Sequence, residues 1–182
     1  MKKGLIVLFD NVEDSEALAT RALLVRGEIQ VDTATKNKNK QIRTAYGLSV
    51  NVEYLLDEIN PLDYDFLLIP GGKYVEQIIE SEKDLLKLMI EFNQKEKLIA
   101  AICAGPRFLG KLNLLENKNY TCYPGCELKI NQGTYHKDQK VVIDSNIITA
   151  RSAGVVIDFA YEIIKKLEGQ EKASKVLKEI VY

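Results

Sequence analysis

Cys103 follows the apolar run Leu98-Ile99-Ala100-Ala101-Ile102 and precedes Ala104-Gly105-Pro106. A cysteine at the turn from a buried strand into a helix has the setting of a nucleophile elbow, where a tight turn lifts a reactive side chain out of the sheet. The free N–H groups and partial positive charge of a helix start favour a thiolate there. Ala104 and Gly105 are small enough to let the backbone turn sharply. A buried, inert thiol fits the same pattern equally well. Glu13, Asp14 and Glu16 cluster where another helix begins. Their ordinary task is to offset the helix dipole; the chemical alternative is that one of them shares a proton with Cys103. Gly71-Gly72, after Pro70, can bring a backbone N–H close to a ligand, or can simply make a tight turn.

The remaining chemistry-bearing residues exclude more than they suggest. Cys122 and Cys126 lie in Cys-Tyr-Pro-Gly-Cys, and the only histidine is the distant His136. This is no zinc set, so no metal is expected. Neither a dinucleotide-type glycine fingerprint nor a Walker lysine at the required spacing is present, which disfavours a dehydrogenase or a P-loop NTPase. No cofactor is expected. Cys103 is expected to be the most readily modified cysteine, because in the sequence Cys122 and Cys126 have no comparable electropositive setting.

These residues need a scaffold, and the apolar pattern describes one. Leu5-Ile6-Val7-Leu8-Phe9 reads as a strand buried on both faces, as in a parallel sheet. Ala17, Leu18, Ala22 and Val25 recur at helical spacing until Gly27, and Ile29, Val31 and Thr33 then alternate as a second strand. The pattern predicts core strands near residues 4–9, 29–34, 65–70, 98–102 and 147–150. It predicts a hairpin over 42–52, a short strand over 120–123 and helices around 85–92, 108–109, 156–167 and 176–180. Strand–helix alternation of this kind makes a doubly wound α/β sandwich with its site at the carboxyl ends of the strands. No repeat or linker interrupts residues 1–182, so one domain is expected.

The 25 Lys+Arg nearly balance the 26 Asp+Glu, which argues against nucleic acid or an anionic membrane surface as the main partner. No apolar run approaches the ~20 residues needed to span a bilayer. Three cysteines are too few and too odd in number for a disulfide framework, and a cytoplasmic protein is expected.

Ala100 to Pro106, preceded by Leu67-Leu68-Ile69-Pro70-Gly71-Gly72, resembles the ThiJ/PfpI superfamily, in the branch of the Parkinson-disease protein DJ-1 and its bacterial relatives. The similarity runs over nearly the whole chain. It implies a three-layer, flavodoxin-like sandwich with a mostly parallel sheet, and a homodimer. It assigns the elbow cysteine to Cys103, its hydrogen-bonding glutamate to Glu16 with Glu13 as fallback, and oxyanion donors to Gly72 and Ala104 beside Gly71. An arginine lining the pocket maps onto Arg151. Tyr123, before Pro124, stands where the branch often has histidine, and Ala104 stands where peptidase-like and chaperone-like relatives carry one.

The resemblance implies a low-pKa Cys103 thiol that acts on small electrophiles such as methylglyoxal, as a glyoxalase or deglycase, or on peroxide as an oxidative-stress sensor. The other readings are a non-enzymatic redox or interaction (chaperone-like) module and, disfavoured by Ala104, an intracellular cysteine peptidase.

Overall fold

The computed structural model describes residues 1–182. The strands and helices are β1 (Lys3–Val7), α1 (Thr20–Arg26), β2 (Gln30–Thr35), β3 (Gln41–Arg43), β4 (Ser49–Asn51), β5 (Tyr54–Leu55), β6 (Phe66–Ile69), α2 (Tyr74–Ile78), α3 (Lys83–Gln94), β7 (Leu98–Ile102), α4 (Pro106–Lys111), β8 (Asn119–Tyr120), β9 (Thr134–Tyr135), β10 (Val141–Asp144), β11 (Ile147–Ala150), α5 (Val156–Glu168) and α6 (Gln170–Glu179). Every residue of β6, β7 and β11 is buried. That is why these strands read as unbroken apolar runs and not as alternation.

Seven strands form one sheet in the order β10-β11-β7-β6-β1-β2-β5. All neighbours are parallel except β10, which returns antiparallel to β11 through the turn at Ser145. From β1 the chain first winds outward to β2, then comes back to β6 on the other side of β1 and continues to β7. Right-handed crossovers in opposite directions put α1 and α3 on opposite faces of the sheet. α5 joins α1 and α6, while α3 covers β6 and β7. α3 is held by the buried stripe Leu85, Leu88, Met89 and Phe92, and α5 by Val156, Phe159, Ala160, Ile163 and Ile164. The result is the three-layer, flavodoxin-like α/β architecture expected.

The differences are local. The strand expected over 120–123 is reduced to Asn119–Tyr120, because Pro124 and the left-handed Gly125 turn the chain away. α2 is only five residues long and shows no helical period to read. The hairpin expected over 42–52 is present as β3–β4 and forms its own two-stranded sheet. The order of strands reverses between β1 and β6, and the loops after β1, β6 and β7 open there, where doubly wound sheets place their sites.

Candidate active site

Cys103 is the first residue after β7 and adopts φ 63°, in the left-handed region that a side-chain-bearing residue seldom occupies. Three hydrogen bonds impose this turn. The Cys103 N–H donates to the Ala150 C=O at 2.9 Å, and the Cys103 C=O accepts the Tyr123 N–H at 2.8 Å. The Gly105 N–H closes back on the Ile102 C=O at 2.9 Å. The elbow is therefore clamped by β11 on one side and by the loop carrying Tyr123 on the other.

Glu16 reaches the same place from β1. The chain enters α1 through a π-helical turn, Ser15–Ala19, and such wider turns are frequent at functional sites. The Glu13 carboxylate accepts the Glu16 N–H at 2.7 Å and the Ser15 hydroxyl at 2.9 Å. Asp14 accepts the Thr44 hydroxyl at 2.6 Å. The three acids thus divide: Glu13 and Asp14 fasten the entry to the helix, and Glu16, 1% exposed, points into the protein. Its Oε2 accepts the Gly71 N–H at 2.8 Å, while Oε1 is sealed from solvent without a partner of good hydrogen-bond geometry. The Cys103 thiol and the Ala153 N–H are close enough to favour its charged form.

Burial, above all, pushes the Glu16 carboxyl up to about 7, with the neighbouring Glu13 charge acting in the same direction. The thiol expected to have a low pKa is pushed up instead. Burial raises it most, the charge of Glu16 and its hydrogen bond raise it further, and the Ala104 N–H pulls the other way. The helix-start argument fell short because α4 is only six residues long and Cys103 lies beside a buried acid. Cys103 and Glu16 titrate as a pair: the first proton leaves only near neutral pH, and the charge it leaves opposes loss of the second.

The other expected site residues fall into three groups. Gly71 holds Glu16, and Gly72 at φ 125° sits against the loop after β1, bridged to Val12. The Gly72 and Ala104 N–H groups make no backbone hydrogen bond, and that of Ala104 lies against the Cys103 sulfur. Tyr123 contributes its backbone; its side chain is half exposed. Arg151 follows β11, and its charge is felt at Tyr135. His136 pairs with Asn119 Oδ1 at 2.7 Å through Nε2, away from the elbow. No cluster of three or more His, Cys, Asp or Glu side chains could hold a metal ion.

Sequence reasoning missed Tyr74 and Ala153. Tyr74 is buried under the Pro70-Gly71 turn, donates its hydroxyl to the Pro70 C=O at 2.7 Å and stacks on Phe9 at 5.4 Å. It fixes the turn that presents Gly71 to Glu16, and only the nearness of Gly71-Gly72 in the sequence could have pointed to it. Cys126 has cations nearby that the sequence did not show: Arg107 and Lys129 favour its ionised form, while burial, the largest effect, together with Glu127 and Glu76 pushes the thiol up.

A profile of the DJ-1/PfpI family matches residues 2–166. A protein named glutathione-independent glyoxalase DJR-1.2, from Caenorhabditis elegans, is 31% identical over 98% of this chain and 96% of its own length. A Pyrococcus abyssi protein named as a deglycase is 31% identical over 90% of this chain and 98% of its own length. DJ-1 homolog B of Arabidopsis thaliana is 30% identical over 96% of this chain, which spans only 40% of that longer protein. The crystal structure of Drosophila melanogaster DJ-1beta superposes with a TM-score of 0.93 at 28% identity, covering 99% of this chain and 97% of that one.

Proposed function

The chain belongs to the DJ-1/PfpI family, and from that premise we propose that it is a cysteine-dependent protein of the glyoxalase or deglycase type, acting on small aldehydes such as methylglyoxal. The observation that carries this reading is the buried Glu16 carboxyl, raised to about 7 beside the strained Cys103 elbow. A group poised near neutral pH can both take and return a proton during turnover.

The sequence of steps balances without a cofactor. The Cys103 sulfur adds to the aldehyde carbon, and the former carbonyl oxygen takes a proton to give a hemithioacetal. Glu16 removes the hydrogen on that carbon and the proton returns at the adjacent carbon, leaving a thioester of lactate. Water then cleaves the thioester to lactate and frees the thiol. The Gly72 and Ala104 N–H groups stabilise the oxyanions formed on the way. Conversion of methylglyoxal to lactate should be measurable for the wild type and lost in Cys103→Ser. A Cys103→Ser variant with wild-type turnover would refute the assignment.

Oxidation by peroxide uses the same pair. A sulfenic or sulfinic Cys103 would be held by Glu16, and a non-enzymatic redox role is the second reading. The upward push on the thiol slows both reactions alike, since the thiolate is the nucleophile toward aldehyde and peroxide. No helix is long and apolar enough to cross a membrane. A cytoplasmic setting, a single functional domain over 1–182 and a homodimer complete the proposal, the last resting on family membership. Light scattering should give twice the mass of one chain; a monomer would remove the dimer from it.

A further inference from the structure

Cys126 has no part in the chemistry above, yet the fold folds it back onto the elbow. The Tyr123 N–H donates to the Cys103 C=O at 2.8 Å, and the Cys126 N–H donates to the Tyr123 C=O at 2.9 Å. Two backbone hydrogen bonds therefore tie the cysteines into one local unit although 23 positions separate them in the chain. Between them Gly125 turns the chain at φ 96°, and nothing lies within 4 Å of where its Cβ would be. Cys126 opens a single 3-10 turn, Cys126–Lys129, that packs on α4, the helix springing from the elbow.

The two remaining thiols differ sharply in setting. Cys122 is wholly buried and its thiol is pushed up to about 12. Cys126 is half-buried, with Arg107 of α4 and Lys129 of its own turn nearby; Glu127 and Glu76 act against them. The charge on one of the two sulfurs, Cys126, is felt at Cys103. Burial holds the Cys126 thiol above its ordinary value although the two cations act against it, so the case for a resolving thiol rests on the backbone bonds that seat Cys126 beside the elbow.

We propose that Cys126 is the resolving thiol of Cys103, closing an intramolecular disulfide after Cys103 has been oxidised by a peroxide. The inference rests on Cys103 being the reactive thiol described above. The Cys103 thiolate attacks the peroxide, its S–O bond forms as the O–O bond breaks, and water or an alcohol leaves. The Cys126 thiolate then attacks the sulfenic sulfur; the S–S bond forms, the S–O bond breaks, and the oxygen departs as water with one added proton. Two thiols lose two electrons and the peroxide gains them. Bridging requires the Cα atoms to come within about 7 Å, and formation of the link reports whether the Cys126 turn reaches the elbow. The bridge would hold Cys103 in a reducible form and keep it from the irreversible sulfinic state.

The test is a peroxide titration of the full reduced chain, quenched by alkylation and mapped without reduction. Trypsin gives one peptide carrying Cys103 (Leu98–Arg107) and one carrying both other cysteines (Asn119–Lys129), so fragment ions must separate Cys122 from Cys126. The wild type should yield a Cys103–Cys126 link. Cys126→Ser should lose the link and accumulate sulfinic Cys103 several-fold faster, whereas Cys122→Ser should behave as wild type. Equal sulfinic accumulation in wild type and Cys126→Ser with no link overturns the proposal, and so does a link to Cys122. Cys103 that stays reduced while the other thiols oxidise overturns the reactive-thiol reading beneath it, a result distinct from oxidation of Cys103 without bridging.

Discussion

Glu16→Gln should lose methylglyoxal turnover by about 10²–10⁴-fold while making the protein more stable above pH 7. The two effects share one cause. Glutamine fills the same volume and its carbonyl can still accept the Gly71 N–H, but it cannot carry a proton from carbon to carbon. The wild-type carboxyl is raised to about 7 from an ordinary value of 4.5, so the folded protein keeps this proton where the unfolded chain has lost it. A carboxyl raised in this way contributes stability that is present below pH 4.5 and is lost as pH climbs to about 7. The shift corresponds to about 3 kcal/mol, an order-of-magnitude value, which the glutamine variant should recover at pH 8 and not at pH 4.

Denaturant melts of both proteins at the two pH values measure this difference directly. Equal stability at pH 8 would mean that Glu16 is not strained by its burial. Wild-type turnover should rise through pH 7 as the Cys103–Glu16 pair loses its first proton, and the rise should be absent in Glu16→Gln. Glu16→Leu should do worse than glutamine in stability, because it leaves the buried Gly71 N–H without an acceptor. Thiolate absorbance then reports how much of the shared charge sits on sulfur; superimposable curves for wild type and both variants would exclude Glu16 as the partner of Cys103.

The parts legible in the sequence are those set by local chemistry. Buried strands announce themselves as unbroken apolar runs, so β1, β6, β7 and β11 could be placed within a residue or two. The elbow was visible because a strand end, small residues and a proline at the helix start are contiguous around Cys103. The electrostatics were not visible in this way. A helix start seen in sequence suggests a lowered thiol pKa, but the length of α4 and the approach of Glu16 across the sheet depend on tertiary packing. The inward turn of Glu16, and not Glu13 or Asp14, follows from a π-helical step that shows no distinct period. Arg151 follows the end of β11, and Tyr123 gives its N–H to the Cys103 C=O while its side chain is half exposed. A motif match fixes where the backbone runs, while the side chain's target is set by neighbours far away in the chain. The cations beside Cys126 come from Arg107 and Lys129, 19 positions before it and three after, and only folding unites them.

Gly71→Ala should dismantle the site more completely than any change to an exposed residue. A Cβ at this position would stand 2.6 Å from the Cys103 Cβ, 2.6 Å from Glu16 Oε2 and 2.9 Å from the Ala104 nitrogen. The first and last belong to the elbow itself, and Glu16 Oε2 is sealed in the interior, so none can yield cheaply. The glycine is needed here for close approach and not for an unusual backbone angle. To admit the methyl, the Pro70-Gly71 turn must move off the elbow, which breaks the 2.8 Å bond from the Gly71 N–H to Glu16 and tilts the Ala104 N–H away from the sulfur. Overpacking and an unpaired buried donor together cost on the order of 3 kcal/mol, roughly 10 °C in Tm for a chain of this size. Turnover should fall to the level of Cys103→Ser, and Cys103 should become more accessible to alkylation as Glu16 retreats. Gly154→Ala is the matched control: nothing lies within 4 Å of its Cβ position, so its Tm and turnover should stay at wild-type values. A Gly71→Ala protein with wild-type Tm and turnover would show that the turn does not press against the elbow, and that Glu16 is held by something other than the Gly71 N–H.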